Sequence, residues 1–350
     1  MSGPRPIMQF DAYSLKTLID AVKEAADALC GEAGADPVRN TISQPVWYRG
    51  HTNPGQVYML LPGLYRGGKL TYKEARLEEE WSTQSFNAQT AHALDTRPEA
   101  KTDWLEVMQH YQVKTRLMDW SENMFTAAMF SLEPYISSPK DDRYKDKRRL
   151  SQPSIWLLNP IRLNTRVYRM LHEDTSIIDS ALMEFPNLPS GFQSEMKDRL
   201  EKGESDYLMH VRTPRSAIVN LSSLLSHRDA VSDRLPELLK ADNFNPFYYL
   251  LLRLYSDGVE LEKELPPLAI KQPYHSKRIE VQHGVFTIFP FPTRDGKITP
   301  LEENPDCSDF LAEIRLNNPF AIAKDLRKLG YMRTDLYPEL TEYGQSIEWR

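Results

Sequence analysis

The sequence predicts an α+β protein with a mixed or antiparallel sheet core and several flanking helices. Two observations lead there. Short aromatic or β-branched runs end at turn residues, and they are interspersed with longer runs whose apolar residues recur at helical spacing. The two kinds of element do not alternate as regular strand–helix–strand units, which argues against a doubly wound parallel sheet. The chain has 350 residues, and a hydrophobic share of 41% is enough for a sizeable core. Composition divides it into an N-terminal helical segment, 1–44, and a domain over 45–350.

In chain order, residues 1–12 read as an irregular arm. Leu15, Leu18, Ile19, Val22, Ala26 and Leu29 then give a helix stopped by Gly31, and 32–44 form a linker. Val46-Trp47-Tyr48-Arg49-Gly50-His51 is a strand whose glycine allows a sharp exit, and Pro62-Gly63 marks a turn. A helix follows from about Tyr72 to Leu94, with Leu77, Trp81, Ala88 and Ala91 inward and Glu78-Glu79-Glu80 as its solvated side. The next carries Trp104, Leu105, Met108 and Tyr111 inward.

Asp119 and Glu122 fit a capping box opening a helix over 120–133, with Trp120 as a core anchor. Residues 137–152 form a charged excursion in which acids alternate with bases. Ser154–Asn159 is a buried strand followed by a helix over 160–172. Ala217–Leu221 is strand-like, and helices fall near 233–241 and 246–256. Leu268–Lys271, Arg278–Ile288 and Phe310–Leu316 are strands, with Gly284 a bulge or close approach in the second. Asn318-Pro319 opens a helix with Phe320, Ala323, Leu326 and Leu329 inward and Gly330 closing it, and Thr334 caps a last helix.

Several function classes are excluded or disfavoured. Net charge is −6, so no global basic field draws the chain to nucleic acid. Cys30 and Cys307 make neither a disulfide framework nor a metal cluster and fit a reducing cytoplasm. No apolar run reaches the roughly 20 residues of a transmembrane helix, so no membrane role is expected. Phosphate-loop, dinucleotide-fold, serine-hydrolase and zinc-protease motifs are absent, and the eight histidines lack metal spacing, so no metal is expected.

The densest polar stretch is Gln109–Trp120, between two apolar segments. Either it fixes a helix junction as a buried network or it lines a pocket. Each residue carries two readings. Arg49 on an aromatic strand is an internal ion-pair partner, Asp119 being a candidate, or a clamp for phosphate or carboxylate. His110 and Tyr111 form a core pair, or an acid–base group and a stacking ring. Lys114 and Arg116 satisfy a helix C-terminus or contact an anion. Gln282 faces solvent or reads a ligand hydroxyl.

The blocks Trp47-Tyr48-Arg49-Gly50-His51, Leu61–Arg66, Gln109–Trp120 and Arg278–Phe286 together resemble the FRG domain family, across roughly 44–347. Tyr48 stands where the family's Phe is expected, and Gln112 where it has Gly after His-Tyr. The resemblance implies a bacterial or phage-associated protein near toxin and defence genes. The pattern is also similar, more loosely, to ADP-ribosyltransferases. That similarity makes Arg49 a diphosphate clamp, Tyr111 a stacking ring, and His110 and Arg116 further anion or ribose contacts. Gln282, or Glu280 on the same strand face, takes the late-strand role at the ribose. His51, Arg66 and Asp119, in the same blocks, complete the expected contacts. The expectation is an NAD-dependent ADP-ribosyltransferase-like toxin or anti-phage effector in the cytoplasm, with NAD as substrate, a protein or nucleic-acid acceptor, and an antitoxin or sensor partner. The alternative is a non-catalytic module that binds a ligand or phage component.

Overall fold

The computed structural model describes residues 7–30, 46–52, 60–90, 92, 101–136, 152–184, 194, 246–271 and 276–339. The expected linker at 32–44, the body of the excursion at 137–152, the strand at 217–221 and the helix at 233–241 lie outside these residues, as do residues 340–350; Thr334, expected to cap a last helix, sits instead within a 3-10 turn, Arg333–Asp335.

The fold is α+β, on one seven-stranded mixed sheet of order β1-β7-β4-β2-β3-β6-β5. The strands are β1 (Met8–Ala12), β2 (Trp47–His51), β3 (Leu117–Ser121), β4 (Ser154–Leu158), β5 (Leu268–Ile270), β6 (Gly284–Ile288) and β7 (Leu311–Leu316). The helices that matter for the site are α1 (Leu15–Cys30), α2 (Tyr72–Thr90), α3 (Lys101–His110), α4 (Met124–Ser131), α5 (Glu133–Ile136), α6 (Pro160–Glu173), α7 (Thr175–Glu184), α8 (Pro246–Ser256), α9 (Lys277–Val281) and α10 (Pro319–Lys328). Among the described strands only β1 and β7 pair in parallel.

One face of the sheet carries a core of Trp47, Met118, Trp120, Trp156, Leu158 and Val285 under the Leu60–Tyr72 segment. The opposite face carries two cores. α1, α4 and α10 cover the β1-β7-β4 side. Side chains of α6, α7 and α8 join Leu117, Phe286 and Ile288 on the β3-β6-β5 side.

Several expectations are corrected. The N-terminal arm contains β1, whose register Met8↔Ala312 to Ala12↔Leu316 adds it to the sheet. Leu117–Ser121 is a strand where a cap was expected; Asn123 caps α4 instead, its side chain accepting from the Phe125 amide. Residues 277–281 are helical, capped by Ser276, and the strand begins only at Gly284. Leu77, Trp81 and Ala88 are exposed on α2, as are Phe320 on α10 and Leu329 just after it. The inward face of α2 is Tyr72, Ala75 and Glu79.

The helix at 160–172 and the proline-opened helix at 319 form as expected, with Asn159 and Asn318 as caps. At the β5 edge, the Asn164 side chain accepts from the Ala269 amide at 2.8 Å and donates to its carbonyl at 3.0 Å.

Gly50 owes its identity to packing rather than to a sharp exit. A Cβ there would collide with the Ala127 carbonyl oxygen and crowd the Ser131 amide, both backbone atoms of α4. Helix and strand therefore approach at a distance that only glycine permits. Gly50→Ala should lower unfolding free energy by about 3 kcal/mol or more, read from urea denaturation, because a helix backbone cannot yield as a side chain does.

Candidate functional site

The sheet is continuous on each side of β2–β3 and nearly open between them. β2 pairs with β4 over five residue pairs, and β3 pairs with β6 over five, but β2 meets β3 only at Tyr48↔Ser121. Away from that pair, side chains take the place of the ladder. Arg49 Nη1 donates to the Asp119 carbonyl at 2.6 Å, and Gln109 Nε2 donates to the Leu117 carbonyl at 3.3 Å. A strand whose outward carbonyls lacked partners would be costly, so these bonds hold the gap at a fixed width.

A cavity of about 260 Å³ occupies this gap. Its apolar walls come from both cores of that face: Tyr48, Ala127 and Phe130 on one side, Ile279 and Phe286 on the other. Arg49, Glu106, Gln109, His110, Asp119, Arg278 and Gln282 provide charged and amide groups, Glu106 being a buried carboxylate.

By strand alternation Arg49 leaves β2 on the face of Trp47 and His51, and its guanidinium reaches into the gap. Burial draws its pKa down, the Asp119 carboxylate works against this, and Arg66 adds to the lowering. Its Nε donates to His51 Nε2 at 3.2 Å, so the imidazole is neutral and accepting there. Asp119 Oδ2 accepts from Gln109 Nε2 at 3.1 Å and lies 3.8 Å from Arg49 Nη1. The Asp119 side chain stays 55% exposed and that of Arg49 only 18%, so the carboxylate is open to a ligand. Gln109 also accepts from Thr115 Oγ1 at 2.6 Å, which locks its amide orientation.

His110 closes α3, its pKa lowered by burial and by Arg278, with Glu339 opposing. After Tyr111 the chain turns through Gln112 at φ 65°, with Val113 N bonded to the Met108 carbonyl and Gln112 N to that of Gln109. This is the six-to-one and five-to-two closure that usually carries glycine at the left-handed position. The turn therefore keeps its tightness with a strained Gln112.

Arg278 and Gln282 enter the cavity from α9 and its C-cap. Gln282 Nε2 donates to the Leu336 carbonyl at 2.7 Å, and its own carbonyl accepts from Ser121 Oγ at 2.7 Å. Helical spacing corrects the strand reading here. Residues 278 and 282 are one turn apart, whereas Glu280 is not among the cavity's lining residues and pairs with Lys277. Ser276 before and Gly284 after the segment were the available signals for a short helix.

The structure thus brings Arg49, His110, Asp119 and Gln282 to one cavity and leaves the other expected residues outside its lining. His51 is buried behind Arg49. Arg66 Nε is bonded to the Leu61 carbonyl. Tyr111 is 57% exposed, its ring against Phe86 and His110. Arg116 is fully buried, donating to Glu79 Oε2 at 2.5 Å and to the carbonyls of Phe289 and Tyr255, with the Phe291 ring 4.1 Å away. Burial pulls its pKa down, and Glu79 with Tyr65 and Asp257 together more than offset this. It is a core residue, with its guanidinium donors directed to protein atoms. Glu106, Gln109, Ser121 and Arg278 also line the cavity, and none of them stands out individually in the sequence.

Residues 44–140 match the FRG domain. The match covers β2, the Leu61–Arg66 turn and the Gln109–Trp120 stretch, and so one side of the cavity. The remaining side, from Arg278 to Phe286, lies beyond the matched FRG residues. Neither curated proteins nor solved structures give a match to the chain. Among the described residues no cluster of His, Cys, Asp and Glu could hold a metal ion, and no helix is long and apolar enough to cross a membrane.

Three outcomes follow from this geometry. Glu79→Gln leaves Arg116 as a buried charge without its counter-ion and should cost about 3–5 kcal/mol in chemical denaturation. Gln112→Gly relieves the left-handed strain and should change stability by no more than about 1 kcal/mol, in the stabilising direction. The His51 pKa is lowered to about 3, by burial first and then by Arg49 and Arg66. The unfolded chain then binds a proton that the folded one does not, between its ordinary value near 6.5 and about 3. Stability is therefore complete above that window and declines as pH falls through it. His51→Phe should flatten that decline in urea titrations at a series of pH values.

Proposed function

We propose that the cavity binds NAD and that the protein is an ADP-ribosyltransferase-like toxin or anti-phage effector, acting on a protein or nucleic-acid acceptor. One observation carries the reading: Arg49, His110 and Gln282, from three distant sequence blocks, line the same cavity. The effector role rests on the FRG match and on what the resemblance implies.

Roles follow from the chemistry of each group. The guanidinium of Arg49, supported by Arg278, suits a diphosphate. The rings of Tyr48, Phe130 and Phe286 suit a planar base. A volume of about 260 Å³ has room for the nicotinamide–ribose end and leaves the adenosine end outside. In the reaction the bond between C1′ of the ribose and the nicotinamide nitrogen breaks, and nicotinamide leaves neutral with the bonding electrons. The acceptor's nucleophile attacks C1′ and gives up its proton to solvent water. Positive charge on the ribose favours a carboxylate nearby, and Asp119 replaces Glu280 as the group positioned for that task.

A non-catalytic ligand-binding module is the second reading. It is favoured by the Gln282 amide and Arg278, both already engaged by the segment after α10. Labelled NAD incubated with the protein and a lysate separates the two: transfer of label supports the first, and binding with NAD left intact supports the second. Arg49→Lys retains the charge and loses the two-pronged donor geometry, so turnover should fall at least ~100-fold with the fold intact by circular dichroism. Wild-type turnover in Arg49→Lys and Gln282→Ala alike would sink the transferase reading.

A further inference from the structure

Residues 331–339, which follow α10, touch the cavity-lining residues at three points. The Leu336 carbonyl accepts from Gln282 Nε2 at 2.7 Å. Glu339 Oε1 lies 3.9 Å from Arg278 Nη1. The Tyr337 ring meets Phe130 edge-on at 6.1 Å and has the Arg278 guanidinium 4.6 Å from its centre. Beyond the cavity the same segment stacks Tyr331 on Phe125 at 5.1 Å, and Arg333 pairs with Glu133 at 2.8 Å. Its main apolar anchor is Leu336, which is buried. The segment is therefore fastened to α4 and α5 by rings and one ion pair, and to α9 by the two polar side chains that α9 gives to the cavity.

We propose that residues 331–339 are a latch whose release is coupled to occupancy of the cavity. A ligand that draws on the Gln282 amide or the Arg278 guanidinium competes with Leu336 and Glu339 for the same atoms. Binding then loosens the segment, and loosening the segment favours binding to the same degree, as linkage requires. The segment is suited to this because, Leu336 apart, its described side-chain ties to the cavity and to α4 and α5 are rings and charges at partly exposed positions. Glu339 also acts on His110, raising its pKa against Arg278, so release alters the charge environment of a second cavity residue.

The first arm of the test needs no ligand. Amide hydrogen exchange of the full chain, read by mass spectrometry, should show 331–339 exchanging at least ten-fold faster in Gln282→Leu and in Arg278→Met than in the wild type. Residues 319–328 of α10 should be unchanged. Glu339→Gln, a surface change that leaves the core alone, should give a smaller acceleration confined to the same segment. Unchanged exchange at 331–339 in all three variants, or acceleration spread equally over α10, overturns the proposal. The second arm adds NAD to the wild type and rests on the reading of the cavity as an NAD site. Exchange at 331–339 should rise over the NAD range that saturates turnover; a fall or no change over that range also overturns the latch. Absence of NAD turnover counts against the transferase reading alone, since the first arm still decides whether the two cavity side chains hold the segment, which the latch requires.

Discussion

The interrupted ladder between β2 and β3 is the constraint from which the site follows. A sheet ordinarily satisfies its backbone along the whole length of each strand, and a gap in its middle is unstable unless something else supplies the bonds. Here Arg49 and Gln109 supply them, one from the neighbouring strand and one from α3. The same two side chains flank Asp119, so the groups that keep the gap open also prepare its carboxylate. Gly50 brings α4 onto β2 at one wall, and the start of β6 follows α9 closely at the other, where Gly284 lies against Ile279. Structure and recognition therefore draw on the same few residues.

Behind the gap, the Arg116–Glu79 pair ties α2 to the residue that begins the descent into β3. Four donor bonds, two to Glu79 and two to backbone carbonyls, compensate the buried guanidinium. Such a pair adds little net stability compared with apolar packing, yet it fixes which face of α2 turns inward. That explains why Glu79 is buried while Leu77 and Trp81 are exposed, the reverse of what apolar periodicity leads one to expect.

Strand alternation and helix caps made much of the fold legible in the sequence. Trp47–His51, Ser154–Leu158 and the helices opened by Asn159 and Asn318 form where local chemistry puts them. The misreadings have local causes as well. Asp119 with Glu122 imitates a capping box, and Ile279 and Val281 imitate a strand's period of two over a span too short to reveal a helix's. Two consequences for the site came from the second error: Glu280 was grouped with Gln282, and Arg278, one helical turn away, was overlooked. Arg49, His110 and Gln282 were legible as polar residues out of place on apolar elements. Their meeting was not, because it depends on a break in the β2–β3 ladder that no local pattern encodes.

The Asn164 amide at the far edge of the sheet has a consequence of its own. By giving Ala269 both a donor and an acceptor, it acts as a one-residue imitation strand and occupies the backbone groups that β5 would otherwise present to another chain. A single side chain thus stops growth of the sheet in that direction, and the short β5 is spared from becoming a seed for edge-to-edge aggregation.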